Sequence, residues 1–187
     1  MNSDPMALLF PGFDPQRWVA AMARALQGPE QAMRVYREML GLEGGSRERA
    51  VDFMAQMARG AGVDATPVFE GVLRFHPAPT ARVAAAAYLV DQGREATVLE
   101  VLESLRPPVL TMTLLAGLLD ALATRPATPE QIERLVRYAA GFQDSEHYTT
   151  LYLGDFTGRD VKRQVRRALA ESLLRRDAPD AVEWPDA

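Results

Sequence analysis

The sequence predicts an all-α fold, a right-handed α-solenoid of about five stacked helical hairpins. Helix-end signals recur at Gly28, Gly60, Gly93 and Arg125. They are about 32 residues apart, and a fixed period of this size is typical of stacked repeats. Between the signals, apolar residues recur at helical spacing, and no segment shows a sustained alternation of β-branched residues. We therefore expect helices throughout and a strand content close to nil.

The first two hairpins are marked by residues that begin and end helices. Asp14-Pro15 and Thr66-Pro67 each place an N-cap oxygen before a proline, which has no N–H to leave unpaired at a helix start. Ser46 begins a helix in the same way, and Gly28 suits the turn of the first hairpin. The predicted pairs are 15–27 with 29–41 and 46–59 with 66–75.

The same signals define the other three hairpins. Gly93 suits a helix C-terminus, and Thr128-Pro129 repeats the N-terminal signal. Asp144 or Ser145 begins the last pair, and one more period after Arg125 places its turn near Thr157. The predicted pairs are 80–92 with 94–105, 108–123 with 129–140, and 145–153 with 160–176.

Residues 78–105 resemble a HEAT-like repeat, of the kind also called phycobilisome-lyase-type or ARM-like. Pro79 and Arg82 precede an alanine-rich first helix, Gly93 marks the turn, and residues 98–105 are rich in leucine. The resemblance is specific only over 78–105. It implies stacked helical hairpins, and it leaves the function open because such repeats occur in adaptors, scaffolds, lyases and DNA-repair proteins.

Composition narrows the class of protein. The chain has 187 residues, a net charge of −4 and no cysteine, which argues against a protein that coats nucleic acid and excludes thiolate chemistry. No apolar run approaches the length of a membrane span, so we expect a cytoplasmic location and no membrane partner. Residues 1–176 are predicted to form one helical repeat domain, followed by an acidic, flexible tail at 177–187.

The sequence assigns no catalytic, cofactor or metal-binding residue. His76 and His147 belong to no recognisable ligand spacing, and His76 is expected to cap the end of a helix before Pro77. An enzyme that uses His147 with Asp155 is a third possibility, which requires those side chains to converge in a pocket.

The strongest local charge signal lies in the predicted last helix, 159–176. At 100° per residue its cations form one stripe opposite an apolar arc. The stripe would hold an anionic partner, such as a nucleic-acid backbone or an acidic protein surface, or it is a solvated face paired with nearby acids. The second alternative is favoured because the chain is acidic overall. The five residues of this cationic stripe are Arg159, Lys162, Arg163, Arg166 and Arg167.

These observations favour a non-catalytic helical-repeat scaffold or adaptor that binds a protein partner, or a second copy of itself, through its curved surface. The alternative is a nucleic-acid-binding or DNA-repair-related HEAT-like protein that uses the basic helix 159–176. No cofactor is expected in either case. The candidate protein-contact residues are Tyr36, Arg37, Arg74, Arg106 and Tyr138.

Overall fold

A computed structural model describes residues 15–40, 54, 64–150 and 154–177 of the chain. Within these ranges it contains eight helices and one two-stranded antiparallel sheet, which confirms a mainly helical protein. The chain forms two compact units, Met1–Gln92 and Gly93–Ala187. A right-handed solenoid and a single domain over 1–176 remain predictions. Residues 178–187 of the expected tail lie outside the described residues.

In the described part of the first unit, four helices pack on one another in chain order. Helix α1 (Pro15–Ala25) packs on α2 (Pro29–Leu40), α2 packs on α3 (Thr66–Phe75), and α3 packs on α4 (Pro79–Asp91). The chain turns between α1 and α2 at Gly28, whose φ of 143° favours glycine. The predicted helices 15–27, 29–41 and 80–92 are confirmed to within two residues at each end. The predicted helix 66–75 is confirmed at both ends. Of the predicted helix 46–59 only Met54 is described, and it is helical.

Arg82 links two helices of this unit. Its side chain is 7% exposed, and Nε donates a hydrogen bond to the Leu73 carbonyl, 2.6 Å away. This carbonyl lies at the C-terminal end of α3, where backbone acceptors lack helical partners and a cation is favourable. Burial lowers the pKa of Arg82. The arginine therefore joins the start of α4 to the end of α3.

The second unit contains the other four helices and the sheet. Helix α8 (Gly158–Asp177) packs on α6 (Met112–Ala123) and α7 (Pro129–Ala140), and α5 (Glu95–Ser104) also contacts both α6 and α7. Leu99, Leu115 and Leu118 are fully buried in its core. The predicted helices 94–105, 129–140 and 160–176 are confirmed to within two residues, and the helix predicted at 108–123 begins at Met112. The two strands are β1 (His147–Thr150) and β2 (Gly154–Thr157).

Side-chain caps fix where these helices begin. Thr128 and Gln131 form a reciprocal capping box at the start of α7, as the Thr-Pro signal predicts. Thr157 and Asp160 exchange equivalent hydrogen bonds at the start of α8. One further period of about 32 residues after Arg125 therefore ends at Thr157, the last residue of β2, and α8 begins at the next residue.

The predicted helix over 145–153 is wrong in its described part. His147–Thr150 is a strand paired with Gly154–Thr157, and Tyr148 lies opposite Phe156. Their rings are 5.3 Å apart, and the Tyr148 ring also contacts Phe142 at 5.6 Å. Aromatic and β-branched residues on a half-buried surface favour strands. The expectation of almost no strand is corrected by this one short hairpin.

The boundary between the two units falls inside the segment that resembles a HEAT-like repeat. It lies between Gln92 and Gly93, within 78–105. Gly93 has the expected left-handed conformation, with a φ of 73°. The pairing of 80–92 with 94–105 as one repeat remains a prediction.

Candidate functional site

Helix α8 carries the cationic stripe on its solvent side. Val161, Val165 and Ala168 are buried, and Ser172 continues this buried line at helical spacing. At about 100° per residue, four of the five stripe residues lie opposite this line, and Lys162 lies about 90° from it at the edge of that side. We call this side the outer face of α8. The orientation of the stripe away from the core follows the sequence prediction.

Three of the five cations are paired with acids. Lys162 Nζ lies 2.6 Å from Asp144, which precedes β1 in the chain. Arg163 pairs with Asp160 and Arg167 pairs with Glu171, each at 2.7 Å along the helix. The side chains of Arg163 and Arg167 are 71% and 62% exposed. Such exposed pairs contribute little to stability, so they mainly reduce the local positive charge.

Arg159 and Arg166 differ from the other three cations. Both are exposed, and neither forms an ion pair or a hydrogen bond with another described residue. Their charges act on Asp144, whose pKa lies below its ordinary value chiefly because Lys162 donates a hydrogen bond to it. Arg159 and Arg166 are therefore the two cations of the outer face that retain their donors for a partner.

The helix as a whole is strongly cationic in an acidic chain. Residues 158–177 contain seven arginine or lysine side chains and three acids, which gives +4, whereas the whole chain carries −4. This concentration of charge on one helix produces a local positive potential.

The outer face becomes apolar toward its C-terminal end. Leu174 is 59% exposed, although leucine side chains are usually buried. Measured around the helix axis, it lies about 20° from both Arg163 and Arg167. Ala170, which lies between Arg167 and Leu174 along the helix, is also exposed. Sequence reasoning assigned no role to Leu174, although the same helical projection that groups the cations also places it on their side.

A shallow apolar cleft borders the outer face. Leu99, Leu119 and Leu135 form its deep part, and Leu169 lines it from α8. The space that it encloses is about 10 Å³, which is room for about one water molecule. Its polar lining residues are Gln131 and Ser172. The Ser172 hydroxyl donates a hydrogen bond to the Arg125 carbonyl and accepts one from the Ala127 N–H. The cleft and the cationic stripe therefore lie side by side along α8.

Two predicted protein-contact residues, Arg106 and Tyr138, contact each other. The Arg106 guanidinium lies 4.6 Å from the centroid of the Tyr138 ring and 4.9 Å from that of Phe142. Its Nη1 also donates to the carbonyls of Leu105, at 2.8 Å, and Glu103, at 3.2 Å. Arg106 thus links the end of α5 to α7.

Tyr138 cannot present a contact surface in this structure. Its side chain is 3% exposed, and its hydroxyl is buried without a hydrogen-bond partner among the described residues. Burial raises the pKa of Tyr138, while Arg106 acts in the opposite direction through its positive charge and a weak polar interaction that does not reach hydrogen-bond geometry. The prediction of Tyr138 as an exposed contact is corrected, because its ring belongs to the aromatic core with Phe142, 5.3 Å away.

The other three predicted contact residues lie in the first unit. Tyr36 and Arg37 lie within α2, and Arg74 lies near the end of α3 with an exposed side chain. Their role in binding remains a prediction.

The histidines take different positions. His147 and Asp155 lie on β1 and β2, share one face of the hairpin at diagonal positions, and are both exposed. His76 is 8% exposed and is the C-cap of α3, as expected: its backbone N–H donates to the Val72 carbonyl, and its Nδ1 accepts a hydrogen bond from the Ala78 N–H. Within the described ranges, no group of three His, Asp or Glu side chains is placed to hold a metal ion.

Comparison of the chain with protein-family models, with curated proteins and with solved structures gives no match in any of the three. The HEAT-like resemblance of 78–105 therefore remains an interpretation of those residues. None of the helices in the described part of the chain has the length and apolar character to cross a membrane.

Proposed function

We propose that this chain is a non-catalytic binding protein that holds a protein partner on the outer face of α8. One observation carries the proposal: Arg159 and Arg166, which have no ion-pair partner in the described part of the chain, lie on the same helix face that exposes Leu174. Protein interfaces combine an apolar centre with a polar and charged rim, and arginine is enriched in them. A single helix face with both features matches that pattern.

The arrangement of acids favours a protein over nucleic acid. Asp144, Asp160 and Glu171 lie among the five cations and pair with three of them. Binding to a phosphate backbone gains from cations that are free of acids, whereas mixed charges give register and specificity between proteins. The exposed Leu174 has no use on a phosphate backbone. Nucleic acid is the second candidate, and the unpaired Arg159 and Arg166 are the observation in its favour.

We extend the proposal to the architecture, which is a HEAT-like right-handed solenoid that acts as a scaffold or adaptor. Support comes from the helices at predicted positions in both units and from the buried alanines Ala81, Ala85 and Ala86 of α4. Small side chains allow helices to approach closely, and stacked hairpins expose long surfaces for partners.

The proposal is tested by affinity capture with the full chain as bait, followed by quantitative mass spectrometry. The test variant is Arg159→Glu with Arg166→Glu. The matched control is Arg34→Glu with Arg94→Glu, which makes the same change in net charge at exposed positions outside α8.

Specific proteins recovered by the wild type and the control should fall by about tenfold or more with the test variant, equivalent to about 1.4 kcal/mol. Recovery should persist after nuclease treatment of the lysate. Equal recovery of these proteins with both variants would contradict the proposal. Loss of all recovered proteins after nuclease treatment would show that the surface binds nucleic acid.

A further inference from the structure

We infer that Arg159, Lys162 and Arg166 form a carboxylate-binding site on α8, in which Asp144 is an internal ligand that an acidic side chain of the partner displaces. This inference rests on the proposed function and goes further in two respects. It adds Lys162 to the binding surface, and it names the contact that opens when the partner binds.

The three cations form one row along α8. Lys162 follows Arg159 by three residues and precedes Arg166 by four, so their side chains are neighbours on the helix surface. Arg159 and Arg166 are about 20° apart around the axis and about 10.5 Å apart along it, with Lys162 between them. These long side chains can therefore reach an oxyanion at the middle of the row.

Asp144 already occupies the middle of this row. It lies in the loop between α7 and β1, and its Oδ1 is 2.6 Å from Lys162 Nζ. The hydrogen bond from Lys162 is the main cause of the lowered pKa of Asp144, and the charges of Arg159 and Arg166 lower this pKa further. The carboxylate thus interacts favourably with all three cations, and it shows the kind of group that the row binds.

The ion pair between Asp144 and Lys162 is able to exchange. The two side chains are 54% and 26% exposed, and exposed ion pairs contribute little net free energy. The Asp144 carboxylate has no other hydrogen-bond partner among the described residues. The loop is held separately, because the Gly158 N–H donates to the Glu146 carbonyl at 3.2 Å. Rotation of the Asp144 side chain therefore frees Lys162 without unfolding the loop.

One carboxylate leaves most of the charge of the row unbalanced. Three cations and one acid carry +2, and Arg159 and Arg166 form no ion pair within the described residues. A partner segment with two or three acidic side chains balances this charge more completely than Asp144 does. Electrostatic complementarity of this kind favours the right partner over others. Exchange of Asp144 for such a segment is therefore favourable.

Cross-linking with a carbodiimide tests the exchange directly. The reagent activates a carboxylate, and an amine in contact with it then forms an amide. Lys162 is the only lysine in the chain, so its cross-linked peptide identifies the carboxylate that contacts it. The probe is hexaglutamate labelled at its N-terminus with fluorescein, which leaves it without an amine.

We expect the free protein to yield the amide between Lys162 and Asp144. Saturating hexaglutamate should replace it by an amide between Lys162 and a glutamate of the probe. Persistence of the first amide at saturating probe would overturn the inference, and so would absence of probe binding at low salt.

Variants separate the site from the net charge. Asp144→Asn removes the internal ligand and should tighten hexaglutamate binding by about threefold or more, as measured by fluorescence anisotropy at low salt. The matched control, Asp155→Asn, removes the same charge from an exposed position on β2 and should change the affinity by less than about twofold. Arg159→Glu with Arg166→Glu should weaken binding by about tenfold. Equal effects of the two Asn variants would overturn the inference.

Further outcomes distinguish this inference from the proposed function. If capture depends on Arg159 and Arg166 but the amide between Lys162 and Asp144 persists with probe bound, only this inference fails. If the probe displaces Asp144 but capture is equal with both charge variants, the carboxylate site stands and the proposed function fails. Displacement of the probe by an equal concentration of a DNA duplex of about 20 base pairs would overturn the inference in favour of phosphate.

Discussion

In the second unit, the exposed residue Arg106 takes part in the packing of the core. Arg106 is exposed, yet its guanidinium covers the Tyr138 and Phe142 rings and donates to two carbonyls at the end of α5. A cation used in this way holds elements together. The sequence identified Arg106 and Tyr138 as notable but could not show that they contact each other, because 32 positions separate them.

The buried hydroxyl of Tyr138 provides a prediction about stability. Because it has no hydrogen-bond partner among the described residues, Tyr138→Phe should leave stability unchanged or raise it by up to about 1 kcal/mol. Tyr148→Phe removes a hydroxyl that donates to Glu146 at 2.8 Å, and it serves as the comparison. Thermal unfolding of both variants measures the effect. A loss of more than about 1 kcal/mol in Tyr138→Phe would show that the hydroxyl is bonded.

Gly158 lies where the chain passes from β2 into α8 without room for a side chain. A Cβ at this position would overlap the backbone of Gln143. We expect Gly158→Ala to destabilise the protein by about 1–3 kcal/mol, as judged by urea unfolding.

Gly141 is the matched control for this substitution. A Cβ there would lie 3.3 Å from the Tyr138 carbonyl oxygen, a contact that small shifts can relieve. Gly141→Ala should therefore cost much less than Gly158→Ala, and equal effects would mean that the contact between Gly158 and Gln143 is not tight.

At the scale of elements, hydrophobic spacing and caps predicted most of the described helices. Thr128-Pro129 located the start of α7 because an N-cap acts through residues adjacent in sequence. The β-hairpin was missed because its signal is tertiary: Tyr148 and Phe156 become neighbours only when the strands pair, and the Tyr148 ring then also contacts Phe142. Residues 147–150 do contain the aromatic and β-branched residues of a strand, which was the available signal.

Two carboxylates that accept hydrogen bonds in the folded protein predict a dependence of stability on pH. The pKa of Glu103 is lowered chiefly by the hydrogen bond from Arg134, and the pKa of Asp160 is lowered chiefly by hydrogen bonds from Thr157. A carboxylate with a lowered folded pKa stabilises the fold above its unfolded pKa and loses that contribution as pH falls. The ordinary values are 4.5 and 3.8, so the contribution should be complete above about pH 5.5 and decline below it.

Glu103→Gln tests this dependence for the link between α5 and α7. The side chains of Glu103 and Arg134 are 32% and 24% exposed, so the pair contributes less than about 1 kcal/mol. Urea unfolding between pH 3 and 7 should show the wild type losing this increment on acidification, while the variant lacks it throughout. Parallel pH profiles for the two proteins would contradict the assignment.

For the whole molecule, the sequence predicted a helical protein and a cationic stripe, and both are present in the described residues. It did not predict the division at Gln92 and Gly93, because the compactness of each unit depends on contacts distant in sequence. Nor did it assign Leu174 or the cleft beside Leu169, since an exposed leucine and a gap between helices become visible only after packing. A protein partner bound at the outer face of α8 is our central claim.

The most direct test of that claim is the capture experiment with Arg159→Glu and Arg166→Glu, scored against Arg34→Glu and Arg94→Glu. We predict that specific protein partners are recovered equally by the wild type and the control and are reduced about tenfold or more with the α8 variant. Equal recovery by all three proteins would contradict the claim that the outer face of α8 is the binding surface.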